Sequence, residues 1–222
     1  MKQTFFITGT DTGVGKTVLT ALLVKFLRER GPAGGPAALK PVCSGGRADA
    51  RALRTAMTGA LTLDEINPWH FRPSIAPLLA ARLEKRPVKL PQVIAHVRAM
   101  QKRFGMLLVE GAGGLLSPLG ENFDSRDLIL ALRAIPIVVA PNRLGVVNQV
   151  LLTLEALPEN LRSKARIVLV SQPKPDAAAK TNARLLAGLT KAKIVSLPWF
   201  DRKNSAANTS RVRRTLHALV GV

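Results

Sequence analysis

The residues Gly9-Thr10-Asp11-Thr12-Gly13-Val14-Gly15-Lys16-Thr17 restrict the folds open to this chain more than any other segment. They follow a short apolar run at residues 4–8 and lead into an amphipathic stretch at residues 16–30. A strand, a glycine-rich turn and a helix in that order form a phosphate-binding unit. The glycines let the backbone curl until successive N–H groups face phosphate oxygens, and the helix N-terminus behind them adds positive potential. Lys16 then reaches the β- and γ-phosphates of a nucleotide, and the Thr17 hydroxyl ligates Mg²⁺. The spacing departs from G-x-x-x-x-G-K-[ST], because position 10 is Thr10 and Gly9 lies one residue too early. A glycine-rich turn that only caps a helix would use the same residues; the strand before it and the helix behind it favour the phosphate site. Val18, Leu22 and Phe26, spaced four apart, predict the core-facing stripe of that helix.

Beyond residue 30 the pattern keeps alternating. Short apolar runs at 37–39, 106–109, 135–140, 166–170 and 193–197 read as strands. Helical periodicity falls at 49–57, 75–84, 91–103, 146–157, 176–189 and 205–219. This alternation predicts an α/β fold with a mostly parallel sheet flanked by helices. A length of 222 residues suits one domain spanning 1–222, and 47% hydrophobic with 21% charged residues is the balance of an ordinary globule. No apolar run approaches the roughly 20 residues that cross a bilayer, so no membrane partner is expected. The first apolar run is too brief for a signal-peptide core. One cysteine, Cys43, leaves no internal disulfide and suits a reducing, cytoplasmic setting; it reads as a packing residue. His70, His96 and His217 have no metal-ligand spacing.

Charge is the unusual property: 33 Lys+Arg against 14 Asp+Glu gives +19. Such an excess attracts polyanions. The basic residues are nevertheless spread from Lys2 to Arg214, without a run of five and without interleaved aromatics. A solvated basic surface fits this better than dedicated nucleic-acid binding.

Glu110 ends the run Met106-Leu107-Leu108-Val109 and precedes Gly111-Ala112-Gly113-Gly114. A carboxylate at the C-terminal end of a parallel strand lies on the edge where ligands of such sheets bind, so Glu110 is a candidate metal or phosphate residue. A surface glutamate at a strand end is the plainer alternative.

Three segments together resemble one family, the dethiobiotin synthetases. Gly9 to Thr17 is similar to that family's extended phosphate loop, including its extra residue. Lys40-Pro41-Val42-Cys43-Ser44-Gly45 resembles its Lys-Pro-Val-x-Ser-Gly segment, and Val109-Glu110-Gly111-Ala112-Gly113-Gly114 its Val-Glu-Gly-Ala-Gly-Gly. Fainter echoes follow at Asn67-Pro68, Leu144-Gly145 with Asn148, and Leu197-Pro198-Trp199. The resemblance implies a P-loop NTPase-like fold and ATP- and Mg²⁺-dependent ring closure of 7,8-diaminopelargonate with CO2 or bicarbonate, through a carbamate and a carbamic-phosphoric anhydride. It implies Lys40 and Lys16 as catalytic residues and Thr17, Asp49 and Glu110 as Mg²⁺ ligands. Substrate contacts would come from Thr12, Ser44, Gly113 and Asn148, the last across a homodimer. Nucleotide contacts would come from Gly13, Val14, Gly15, Lys16, Thr17, Val18, Asp49, Glu110, Gly111, Ala112 and Gly113, with Pro198, Trp199 and Phe200 at the base.

Two departures stand out. Ser171-Gln172 occupies the place of the family's base-reading Asn-Asp pair, and Lys203-Asn204-Ser205 replaces a later acidic residue. A different class also fits a phosphate loop with a basic surface: a partition or positioning ATPase that switches on DNA or membrane. Asp11, where such proteins usually carry a second lysine, argues against it. A non-catalytic nucleotide-binding module is a third option, against which Lys16, Thr17, Lys40, Asp49 and Glu110 all speak.

Overall fold

The computed structural model describes residues 3–31, 34–199 and 206–221. Its strands are β1 (Gln3–Gly9), β2 (Pro36–Leu39), β3 (Val42–Cys43), β4 (Trp69–His70), β5 (Met106–Glu110), β6 (Pro118–Gly120), β7 (Phe123–Asp124), β8 (Ile135–Pro141), β9 (Arg166–Val170) and β10 (Lys193–Leu197). The helices are α1 (Lys16–Arg30), α2 (Ala48–Ala56), α3 (Leu63–Ile66), α4 (Pro77–Leu83), α5 (Leu90–Arg103), α6 (Ser125–Leu132), α7 (Val146–Glu155), α8 (Glu159–Arg162), α9 (Asn182–Leu189) and α10 (Ala206–Val220).

Six strands form one parallel sheet in the order β10-β9-β8-β1-β5-β2, as the alternation predicted. Its central strands are apolar almost throughout, because helices cover both faces and leave no solvent side to favour alternation. Helix α1 packs on β1, β2 and β5 and against α2 and α10, while α5, α6 and α7 pack on β5, β1 and β8. The register places the site: Ile7 pairs with Glu110, and Leu39 with Val109, so β5 lies between the phosphate-loop strand and the strand that leads to Lys40. All three segments therefore leave the sheet at the same edge.

Two expectations need correction. Val18 is not core: it is 54% exposed, and Leu22 is only partly buried. The buried stripe of α1 is Leu19, Thr20, Leu23, Val24, Phe26 and Leu27. A spacing of four drifts by about 40° per step on a helix of 3.6 residues per turn, so the three residues pass from the exposed Val18 through the half-buried Leu22 to the buried Phe26. The helix expected over 176–189 is also broken, into a 3₁₀ turn at Ala177–Lys180 and α9. Asp176 caps the turn by accepting from Ala179 N, and it also accepts from Leu144 N at 2.7 Å, which draws the segment toward the start of α7. Helix α6 was not anticipated. Its start is a reciprocal cap, with Asp124 accepting from Asp127 N while Asp127 accepts from Asp124 N.

Candidate active site

The turn after β1 wraps the N-terminus of α1. Gly9 is required by close approach, since a Cβ there would lie 2.7 Å from Val14 Cγ2 and 3.3 Å from Lys16 Nζ. The Lys16 ammonium folds back over the loop to donate to the Asp11 carbonyl at 2.8 Å. Thr17, one residue on, points from α1 toward β5 and donates its hydroxyl to Glu110 Oε1 at 2.6 Å.

Glu110 is fully buried. The same Oε1 accepts from Lys40 Nζ at 2.7 Å, and Lys40 also pairs with Asp49 Oδ2 at 2.7 Å. Thus Thr17, Lys40, Asp49 and Glu110, far apart in sequence, meet at the end of β5. Burial works to lower the Lys40 pKa, but the Glu110 and Asp49 carboxylates outweigh it and hold the ammonium above its ordinary range. Burial likewise works to raise the Asp49 pKa, and Lys40 overrides it and keeps that carboxyl below the usual range. Lys16 behaves differently. Burial, reinforced by the Lys40 charge and only partly offset by Glu110, Asp49 and Asp11, brings it down to about 8. Two lysines and two carboxylates in so small a volume favour a polyanionic ligand, whose charge would settle both ammonium groups.

The cavity over this cluster has a volume of about 620 Å³ and is walled by Thr12, Lys16, Lys40, Ser44, Asp49 and Gly113 among others. Ala112 also lines it. Ser44 is held by donation to the Ile75 carbonyl at 2.5 Å. Gly113 is at φ +69°, and a Cβ there would come within 2.3 Å of Ser117 Oγ, so the bend that opens the cavity needs glycine. Gly111 does not line the cavity; it packs between Phe6 and Ser125. A second cavity of about 470 Å³ lies around the phosphate loop, sharing Thr12, Gly13, Gly15 and Val18 with the first. Val14, Gln172, Pro198 and Trp199 line it. Phe200 lies outside the described residues. Ser171 is absent from this lining and donates its N–H to the Leu197 carbonyl, whereas the Gln172 amide donates to the Val170 carbonyl at 3.1 Å.

Asn148 is not brought to either cavity. It is exposed on α7, in a groove with Leu151, Leu152 and Arg162, and the N-cap of α7 is Gly145. Arg143 and Gln149 line the second cavity without having been anticipated, as Ser74, Ile75 and Ser117 line the first. Isolated residues outside a motif, polar or apolar, carry no sequence signal that could have marked them. Cys43 is buried, its one S–H lying between two acceptors, Asn67 Oδ1 and the Gly46 carbonyl, and burial raises its pKa as expected of an inert packing thiol.

Mg²⁺ is implied by the phosphate loop, and the donors present fit it. Thr17, Asp49 and Glu110 offer a hydroxyl and two carboxylates, an all-oxygen set suited to this hard cation. Glu110 Oε2 is buried without a hydrogen-bond partner, a lone acceptor that a cation bound beside it would satisfy.

A family model described as an AAA domain matches residues 3–204. The ATP-dependent dethiobiotin synthetase BioD of Anaeromyxobacter dehalogenans strain 2CP-C is 42% identical over 200 residues, covering 87% of this chain and 89% of that protein. The protein of the same name from Akkermansia muciniphila is 37% identical, covering 87% and 90%. Among solved structures, the pNOB8 ParA bound to nonspecific DNA superposes with a TM-score of 0.55 over 100% of this chain and 99% of that one. At 12% identity that likeness concerns the fold alone.

Proposed function

Because this chain belongs to the dethiobiotin synthetase family, we propose that it catalyses the ATP-dependent ring closure of 7,8-diaminopelargonate with CO2 to dethiobiotin, a ligase step of biotin biosynthesis. One amine attacks CO2 and loses a proton, giving a carbamate. A carbamate oxygen attacks the γ-phosphorus of ATP, and ADP leaves. The second amine attacks the carbon of the resulting carbamic-phosphoric anhydride, phosphate leaves and the ring closes.

The observation that carries this reading is the Lys40 ammonium, buried and fixed 2.7 Å from both Asp49 and Glu110 beside Lys16. Carbamate and triphosphate are both anionic, and their charges converge in the transferring γ-phosphoryl group. Pre-oriented cations in a low-dielectric site stabilise that convergence without reorganising. Lys16 holds the β- and γ-phosphates, and Lys40 receives the carbamate and the phosphoryl group. Thr12, Ser44 and Gly113 line the wall where the diamine would lie. Thr17, Asp49 and Glu110 would hold Mg²⁺, which would offset the negative charge of the phosphates. Pro198, Trp199 and Val18 would flank the base.

Leu144 and Leu152 are 79% and 63% exposed on the same stretch as Asn148, and an apolar face there supports a homodimer in which Asn148 serves the partner's substrate. One domain over 1–222, acting in the cytoplasm, accords with the buried free thiol of Cys43. Among the described residues no helix is long and apolar enough to cross a membrane. Asp11 in the loop supports a synthetase over a DNA- or membrane-bound switch.

The test is incubation of purified protein with 7,8-diaminopelargonate, bicarbonate and Mg·ATP. Dethiobiotin, ADP and phosphate should appear in equal amounts by mass spectrometry and phosphate assay. ADP without dethiobiotin would refute the reading.

A further inference from the structure

We infer that Asn67 is the positioning residue of Lys40, fixing through its buried carboxamide the direction in which the ammonium enters the cavity. The inference rests on the role given to Lys40 above. Lys40 is the first residue past β2, so the sheet ladder no longer holds its backbone. Both of its backbone polar groups are instead held from the end of α3. Lys40 N donates to the Ile66 carbonyl at 2.9 Å, and Asn67 Nδ2 donates to the Lys40 carbonyl at 2.6 Å and to the Pro41 carbonyl at 3.4 Å. Pro41 keeps the preceding residue out of the helical region and offers no N–H of its own, so the amide is the added constraint at this corner.

Asn67 is fully buried, and all its polar groups are used. Its Oδ1 accepts from the Cys43 thiol at 3.2 Å, and its backbone carbonyl accepts from Arg47 Nη2 at 3.1 Å. The neighbours dictate which way the amide faces: the Lys40 carbonyl takes its hydrogen bond from Nδ2, the Pro41 carbonyl, already bonded to Trp69 N, lies on the same side, and the Cys43 thiol faces Oδ1. A carboxylate of the same shape would set negative oxygens against two carbonyls. Asn67 does not line either cavity, so it acts on the reaction only through the residues it holds, Lys40 foremost and Cys43 beside it. A displacement of about 1 Å at a reacting group is enough to cost on the order of 100-fold in rate.

The test compares the full-length protein with Asn67→Ala and with Asn67→Asp, which keeps the side-chain volume. In both variants kcat should fall by about 10- to 100-fold. ADP affinity by calorimetry should stay within about twofold, because Asn67 does not touch the phosphate loop. Labelling by an amine-reactive ester, read by peptide mass spectrometry, should rise at Lys40 and stay unchanged at Lys16. Equal kcat in wild type and Asn67→Asp, or labelling that rises at both lysines together, would overturn the inference. If the wild type makes no dethiobiotin, the functional reading fails and the labelling pattern alone decides the role of Asn67.

Discussion

Replacing Lys40 by alanine separates what this residue does for the fold from what it does for the reaction. Its ammonium makes two contacts of equal length, 2.7 Å to Asp49 and to Glu110, but they are not equal in energy. The Asp49 side chain is 49% exposed, so water takes over when the lysine is lost and the cost is about 0–1 kcal/mol. Glu110 is fully buried and keeps only the Thr17 hydroxyl. An uncompensated buried carboxylate costs about 3–5 kcal/mol. For a chain of this size each kcal/mol moves Tm by about 2–4 °C, so Lys40→Ala should lower Tm by about 6–20 °C in the absence of nucleotide. The double variant Lys40→Ala/Glu110→Gln removes the stranded charge and should recover most of that loss. Its activity should stay at or below the level of Lys40→Ala, lower than wild type by about 1,000-fold or more, because Glu110→Gln also removes a Mg²⁺ ligand. Thermal unfolding followed by circular dichroism, with kcat measured on the same samples, reads both quantities. A double variant less stable than Lys40→Ala, or one that regains activity, would refute the reasoning.

Other positions offer independent checks. Leu23→Ala should cost about 2–5 kcal/mol in urea denaturation and Val18→Ala less than about 0.5 kcal/mol, reversing the order that a Val18 core stripe would require. Burial holds His96 below its ordinary pKa, so the unfolded chain takes up the proton first on acidification. Its contribution is therefore complete above about pH 6.5 and lost as pH falls through the lower folded value, and His96→Gln should flatten denaturation midpoints over that window. Gly113→Ala puts a Cβ against Ser117 at a left-handed φ and should lose about 1–3 kcal/mol in thermal unfolding, with a rise in KM for the diamine.

What the sequence disclosed, and what it withheld, follows from the reach of each signal. The phosphate loop was legible because its chemistry is local: glycines, Lys16 and Thr17 lie within one turn, between a strand and a helix. Glu110 was legible as a carboxylate ending an apolar strand, but its partners were not. The convergence of Thr17, Lys40 and Glu110 depends on β5 lying between β1 and β2, a pairing order that no local pattern encodes. Lys40 and Asp49 entered only through resemblance, because a lysine before proline and an aspartate near a helix start each have ordinary uses. Val18 misled because an apolar residue facing a ligand cavity has the same hydropathy as one facing the core. Helix α6 is encoded locally in the Asp124-to-Asp127 capping pair ahead of Leu128, Ile129 and Leu132, a signal of only eight residues. The β3–β4 pair, two residues on each side, is below what periodicity can resolve.

Transfer of labelled oxygen tests the central chemistry most directly. With ¹⁸O-bicarbonate supplied and quenching before exchange with water, a carbamate oxygen that attacks the γ-phosphorus leaves with it when the ring closes. Inorganic phosphate should therefore carry one heavy oxygen per dethiobiotin formed. Unlabelled phosphate released at the same rate as ADP would mean that water, not carbamate, takes the phosphoryl group, and the site assembled around Lys40 would not be doing the chemistry assigned to it.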